Sequence, residues 1–188
     1  MVRAFTDDPV PSHTVDEICD LARRAPSAGN SQGLDLLVLD DPEATSAYWD
    51  VSLPEPRRAT FRWRGLLRAP VLILLVTDPE AYTDRYGEPD KATTGLGAGP
   101  DAWPVPYWWV DAGAAAEHVL LGVVAAGLGA CLFGPFDHEQ ALAETFGVPA
   151  GRRLAATIAL GHPDADEPGR SASRPRRALD DVIHRNVW

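Results

Sequence analysis

Apolar positions along the chain fall into helical and extended spacings that divide it into elements. Val15, Ile18, Cys19, Ala22 and Ala25 recur at helical intervals. They follow Thr14-Val15-Asp16-Glu17, where a hydroxyl and a carboxylate are spaced as a capping box, and Pro26 closes the run. Leu34 to Leu39 reads as a largely buried strand, and Asp41 to Trp49 fits a short helix. Residues 52–69 carry prolines and five arginines and predict a mobile, solvated connection with one helical turn. Pro70 to Thr77 is apolar without alternation, so it predicts a strand covered on both faces.

Residues 78–108 read as irregular, and so long a loop in a compact domain either covers a site or is disordered. The aromatics of its end, Trp103-Pro104-Val105-Pro106-Tyr107-Trp108-Trp109, predict that this half is docked. Asp111 to Ala126 has small or aliphatic residues nearly all round, which predicts a helix buried in a core or at a subunit interface, with Asp111 as its cap. Gly127 and Gly129 end it, and Ala130 to Phe133 makes a short strand. Asp137-His138-Glu139-Gln140 repeats the capping pattern and opens a helix to about Phe146, and Leu154 to Leu160 is the last buried strand. From His162 a tail runs on without a core of its own, yet it ends in Val182, Ile183 and Trp188. Such a tail packs on something, and a second subunit is the candidate. Together these elements predict an α+β layer of about four strands against helices.

The chain has 188 residues and a mass of 20.3 kDa, which predicts one domain. Its 17 basic and 27 acidic residues give a net charge of −10, which argues against nucleic acid as a partner. Cys19 and Cys131 lie in apolar stretches without metal-ligand spacing, so buried free thiols in a reduced, cytoplasmic compartment are expected. Met1 to Asp8 lacks the apolar core of a signal peptide. Val119 to Phe136 runs without a charge, but Gly127, Gly129, Gly134 and Pro135 interrupt it, so a buried helix entering a strand is expected in place of a membrane span.

Three constellations could carry chemistry. Arg23-Arg24-Ala25-Pro26-Ser27-Ala28-Gly29-Asn30-Ser31-Gln32-Gly33 gathers guanidiniums, hydroxyls and the carboxamides of Asn30 and Gln32. Those groups suit the imide edge of a planar heterocycle, or a ribityl chain and phosphate, and equally an ordinary polar turn. Gly127 to Pro135 could bring backbone N–H groups close to a flat ligand, though it is no dinucleotide fingerprint. Ser171-Ala172-Ser173-Arg174-Pro175-Arg176-Arg177 is either a phosphate-binding cluster or a solvated tail. His138-Glu139 lacks the second histidine of a zinc helix, and Asp164 with Asp166 reads as an acidic turn, so no metal site is expected.

In register, these segments resemble the nitroreductase family of flavin enzymes over nearly the whole chain. Arg3-Ala4-Phe5 with Pro9-Val10 resembles the family's opening, and Arg24 to Gln32 its Ala-Pro-Ser…Asn-x-Gln turn. Asp111 to Ala115 and Gly127 to Ala130 resemble its central helix and exit. Phe146 to Pro149, Leu160 to Pro163, and Arg176-Arg177 before Val182-Ile183-His184 and Trp188 follow as expected. The 103–108 stretch looks like that of a high-GC bacterial subgroup.

The resemblance implies a nitroreductase-like α+β fold: a mostly antiparallel sheet of four to five strands flanked by helices, in a single domain over 1–188. Residues 162–188 would be a C-terminal arm exchanged within a homodimer. It implies FMN at the dimer interface. Arg3, Arg174 and Arg176 would hold the phosphate, and Ser27, Asn30 and Gln32 the ribityl chain or ring. Leu132, Phe133 and Gly134 would lie against the ring, with Trp103, Tyr107 and Trp108 forming a pocket for a flat substrate or nicotinamide. No side-chain acid, base or nucleophile is implied. The implied activity is NAD(P)H-dependent reduction of nitroaromatic, quinone or similar acceptors. A biosynthetic flavin oxidase or dehydrogenase, or a non-catalytic flavin binder, is the alternative. Two departures stand out: Met1 occupies the serine position of the family's Arg-Arg-Ser segment, and Gly33-Leu34 replaces its Pro-Trp. Fewer phosphate contacts or a start further upstream would explain the first.

Overall fold

Val71–Thr77 (β2) has every one of its seven residues buried. Leu34–Leu39 (β1) pairs with it on one side and Arg153–Gly161 (β4) on the other, and Gly129–Phe133 (β3) lies outside β4. The order is β1-β2-β4-β3 and every pair is antiparallel, so the sheet has the expected character with four strands. The computed structural model describes residues 1–165, 169 and 172–188. Asp166, Arg170 and Ser171, which the sequence reading drew into the acidic turn and the basic tail, lie outside the described residues.

Because β2 is apolar on both faces, each face needs a cover. Val71, Ile73 and Leu75 point to one side with Ile158 and Leu160, where Ser12–Ala22 (α1) and Tyr107–Ala125 (α5) pack. Leu72, Leu74 and Val76 point to the other, against Pro42–Ser52 (α2), Glu139–Thr145 (α6) and the 61–69 segment. On that side Tyr48 donates its hydroxyl to Thr157 Oγ1 at 2.9 Å, and burial pushes its phenol up to about 12.

Several boundaries depart from expectation for identifiable reasons. Helix α1 starts at Ser12 behind Pro11, so Thr14 sits inside the first turn and the expected capping box is not made. Asp41 does cap α2, accepting from Ala44 N–H at 2.8 Å. Helix α5 begins at Tyr107, directly after Pro106, which leaves Asp111 one turn inside the helix and not at its cap. Glu139 opens α6, but its carboxylate receives Arg153 Nε at 2.6 Å and Leu154 N–H at 3.1 Å instead of capping a helix. The 52–69 connection is not solvated throughout. Arg57–Thr60 (α3) is a helical turn, and Phe61, Trp63, Leu66 and Ala69 join the core while the arginines between them reach outward.

The largest departure is at 78–108. Pro79–Gly87 (α4) is a helix capped by Asp78, whose carboxylate accepts from Glu80 N–H at 3.1 Å. Three short 3-10 turns follow, and Trp103 is docked as expected, its indole donating to Leu96 C=O at 3.0 Å. Residues 172–188 are exposed throughout. Cys19 and Cys131 are free thiols; burial, then the Asp16 charge, push Cys19 up to about 11. Among the described residues no helix is long and apolar enough to cross a membrane.

Leu74 is fully buried in the central strand. Leu74→Ala should lower unfolding free energy by about 2–5 kcal/mol in urea titration. The Arg153 guanidinium, which bonds Glu139, holds that carboxyl below its ordinary range. Its contribution is therefore present above the unfolded-state value and disappears as pH falls through the folded-state value. Glu139→Gln should cost on the order of 1 kcal/mol at neutral pH. The difference from wild type should close under acid, which paired urea titrations across pH would measure.

Candidate functional site

The polar turn between α1 and β1 opens on a cleft of about 570 Å³ that Ser27, Asn30, Gln32, Tyr82 and Asp111 line. Ala28 to Asn30 forms a single 3-10 turn. Ser27 Oγ accepts from Gln32 N–H at 3.1 Å, and Ser31 Oγ donates to Ala28 C=O at 2.6 Å. These internal bonds leave the Asn30 and Gln32 carboxamides exposed at the cleft. Arg23 and Arg24 are also there, bonded to Asp20 at 2.5 and 2.8 Å. The Arg24 bond is the main cause that lowers the Asp20 carboxyl below its usual range.

Arg3, Leu132, Phe133 and Gly134 meet elsewhere, around a second cavity of about 470 Å³. Its walls are aromatic: Trp49 stacks on Phe133 with centroids 5.9 Å apart, and Arg3 lies 5.4 Å over the Trp63 ring. The buried indole N–H groups of Trp49 and Trp63 have no hydrogen-bond partner among the described residues. β3 is an edge strand, and the N–H of Leu132 meets only the weak acceptor Met1 Sδ, at 3.5 Å.

Trp103 and Tyr107 line a third cavity of about 420 Å³ together with Ala28, Tyr86 and Leu96. Trp108 is not on that wall. It is 6% exposed and packs edge-on against Tyr82 and Trp103, 6.0 and 5.9 Å away. Arg174 and Arg176 lie on the exposed tail. The residues expected at the cofactor thus fall, apart from the tail arginines, into two groups at opposite edge strands, a polar one beside the start of β1 and a largely apolar one with Arg3 at the end of β3. Three strand spacings, roughly 14 Å, separate those edges.

Residue-by-residue reading missed Asp111, Tyr82 and Arg85 as parts of the site. Asp111 Oδ2 accepts from Ala28 N–H at 2.8 Å and from Tyr82 Oη at 2.9 Å. Burial, then the bond to Asp111, hold the Tyr82 phenol well above its ordinary range. Arg85 Nε donates to Gly29 C=O at 2.8 Å. The available signal was an acid one turn inside a helix whose other charge-bearing positions are only Glu117 and His118, since a buried carboxylate needs partners.

As for chemistry, carboxamides and a hydroxyl on one edge, guanidiniums near the termini and an apolar wall fit a flat heterocycle with an imide edge and an anionic tail. Among the described residues no three potential metal ligands gather. The sequence model of the Nitroreductase family matches residues 1–162. A 4-nitrobenzoate reductase from Nocardioides sp. is 30% identical over 205 residues, covering 95% of this chain and 83% of that protein. An FMN reductase (NAD(P)H) from Bacillus subtilis is 27% identical over 192 residues, covering 100% and 70%. Among solved structures, an FMN-dependent nitroreductase from Clostridium difficile R20291 superposes with a TM-score of 0.69 at 19% identity, covering 100% of this chain and 94% of that one. That last likeness establishes the fold.

The placement of Trp108 yields a contrast with Tyr107. Trp108→Ala should lower unfolding free energy by about 3–5 kcal/mol, as loss of a buried aromatic does. Tyr107→Ala should stay within about 0.5 kcal/mol of wild type in the same urea titration.

Proposed function

The chain belongs to the nitroreductase family, and we propose that it is an FMN-dependent oxidoreductase that moves a hydride from NADH or NADPH to a nitroaromatic, quinone or similar conjugated acceptor. The observation that carries this reading is the Ser27, Asn30 and Gln32 cleft, in a chain whose family match spans it. Similarity to the 4-nitrobenzoate reductase supports a nitroaromatic acceptor.

Bound FMN supplies the hydride chemistry itself. The chain's part is to hold and shape. Asn30 and Gln32 carboxamides can both donate to and accept from an imide edge or ribityl hydroxyls, and Ser27 adds a hydroxyl. Arg3, Arg174 and Arg176 neutralise the phosphate in a chain whose net charge is −10. Leu132, Phe133 and Gly134 would face the ring, to which the Leu132 N–H, now on the weak acceptor Met1 Sδ, could donate. Aromatic walls around that segment exclude water, and the exposed ring of Tyr107 offers a flat face for an acceptor, with Trp103 and Trp108, each 6% exposed, behind it as support.

A homodimer is part of the proposal. Residues assigned to one ring occupy opposite edges of one sheet, so a second copy is needed to bring them together. Helix α5 also presents apolar side chains away from its own core, with Val110 49%, Leu121 58% and Val124 70% exposed. Residues 162–188 are read as the arm of a single 1–188 domain that lies on the other copy. The location proposed is cytoplasmic.

Purified protein should be yellow, with a ligand of the mass of FMN, and NADH or NADPH should bleach it without air. Light scattering should give twice the chain mass of 20.3 kDa. Arg176→Ala should weaken FMN binding by about one to two decades, more at low salt. A protein that FMN cannot turn yellow contradicts the reading, and unchanged affinity in the variant removes the phosphate assignment.

A further inference from the structure

The 27–33 turn holds a conformation that its own residues do not favour. Gly29, Asn30 and Gln32 all have positive φ, at 61°, 57° and 51°. Glycine adopts this region freely and asparagine tolerates it, but glutamine does so at a cost. Such strain persists where surrounding groups over-determine it. The two non-glycine residues so held are Asn30 and Gln32, whose carboxamides form the proposed flavin site.

The restraint comes from two helices remote in sequence. Asp111 of α5 takes the Ala28 N–H on Oδ2, and Tyr82 of α4 donates to the same oxygen. Arg85 of α4 holds the Gly29 carbonyl, and two bonds of 2.8 Å from its guanidinium to Asp90 fix it in turn. Asp78 N–H donates to Gly33 C=O at 2.9 Å. The Tyr82 ring closes on Gly33 so tightly that a Cβ there would lie 2.6 Å from Cε2. Within this clamp Asp111 is the group whose presence packing alone does not explain. It is a carboxylate 9% exposed, among alanines and valines, and its burial is costly unless hydrogen bonds compensate. Those bonds go to the turn and to the tyrosine that packs beneath it. Oδ1 has no partner among the described residues, and the side chain lines the same cleft as Ser27, Asn30 and Gln32.

We infer that Asp111 is a positioning residue for the flavin: through Ala28 it holds the turn in the left-handed form that sets Asn30 and Gln32 at the cleft. The inference rests on the flavin reading above. It predicts that losing Asp111 weakens cofactor binding by way of Asn30, beyond any loss of fold stability.

The test is FMN titration, by flavin fluorescence, into full-length protein stripped of flavin. It uses Asp111→Ala, Asp111→Asn, Asn30→Ala and the Asp111→Ala/Asn30→Ala pair, with melting of each stripped protein alongside. Asp111→Ala should weaken binding about 10- to 100-fold. Asp111→Asn, which keeps an acceptor for Ala28, should recover most of that loss. In the pair, Asn30→Ala should add little, because its carboxamide is already misplaced. Full additivity of the two losses, or wild-type affinity in a folded Asp111→Ala protein, overturns the inference. If Asp111→Ala does not fold, the cycle with Asp111→Asn reads the same coupling: a smaller loss that vanishes once Asn30 is absent supports it, and an additive one overturns it. Wild-type protein that binds no FMN overturns the flavin reading, an outcome distinct from a wild type that binds and a variant that binds equally well.

Discussion

A strand with no wet face sets the architecture. All seven residues of β2 are buried, so water cannot serve either side of it. At about 1.5–3 kcal/mol for each large aliphatic side chain, leaving the three on one face open would forfeit a sum comparable to the whole stability of an ordinary domain. Helices α1 and α5 therefore cover Val71, Ile73 and Leu75, while α2, α6 and the 61–69 segment cover Leu72, Leu74 and Val76. The faces being taken, backbone groups free to bind remain at the sheet's edges and at strand ends. The polar turn precedes edge strand β1, and Leu132 to Gly134 closes edge strand β3. A two-sided core thus dictates that the candidate site is split.

Local strain and long-range contact are joined in the polar turn. Left-handed φ at Gln32, beside the better tolerated Gly29 and Asn30, makes the turn a costly structure on its own. Contacts across 83 residues, from Ala28 to Asp111, and across 56, from Gly29 to Arg85, supply what local sequence lacks. A preformed turn of this kind presents its carboxamides without ordering them at the moment of binding, which favours affinity. The same logic explains the close approach of Tyr82 to Gly33: a Pro-Trp pair at 33–34 would not leave that ring where it is.

How much of this was legible depended on where the information lay. β1 runs from Leu34 to Leu39 as expected, between Gly33 and Asp40, but Asp35 interrupts its apolar run and only Leu39 is buried, because β1 lies at the edge of the sheet. β2 was equally plain, and the polar turn was visible from its residue types. Helix α4 was not seen: Asp78-Pro79-Glu80 is a sound start signal, but the glycines and prolines after Gly87 obscured it. Tyr82, buried, and Tyr86, half-buried four residues on, were its inward stripe. Asp111 was taken for a cap because the aromatic run before it resembled a loop end. Its partners are Ala28 and Tyr82, and no window around residue 111 contains either. The split of the site across two edges was likewise invisible, since strand order is a property of the folded sheet.

The proposed pairing follows from the same constraint that built the core. Helix α5 buries Ala112, Ala115, Val119 and Val123 toward the sheet, which exhausts its inner stripe. Its outer side still carries Val110, Leu121 and Val124, with the exposed Leu21 of α1 nearby through the bond between His118 Nδ1 and Leu21 C=O, 2.9 Å. Exposed apolar side chains grouped on one helix face, here around the exposed Glu117, suit a contact surface. The tail repeats the argument at larger scale. Leu179, Val182, Ile183, Val187 and Trp188 are all exposed, Trp188 at 99% with its ring stacked only on His184 of the same tail among the described residues. In the proposed pair both surfaces are covered together. Arg174 and Arg176 precede those apolar residues on the same segment, so docking the arm would also fix the guanidiniums that the phosphate needs. In that proposed pair, burial of the arm and neutralisation of the anion would be one event, and a cofactor that stabilised one would stabilise the other.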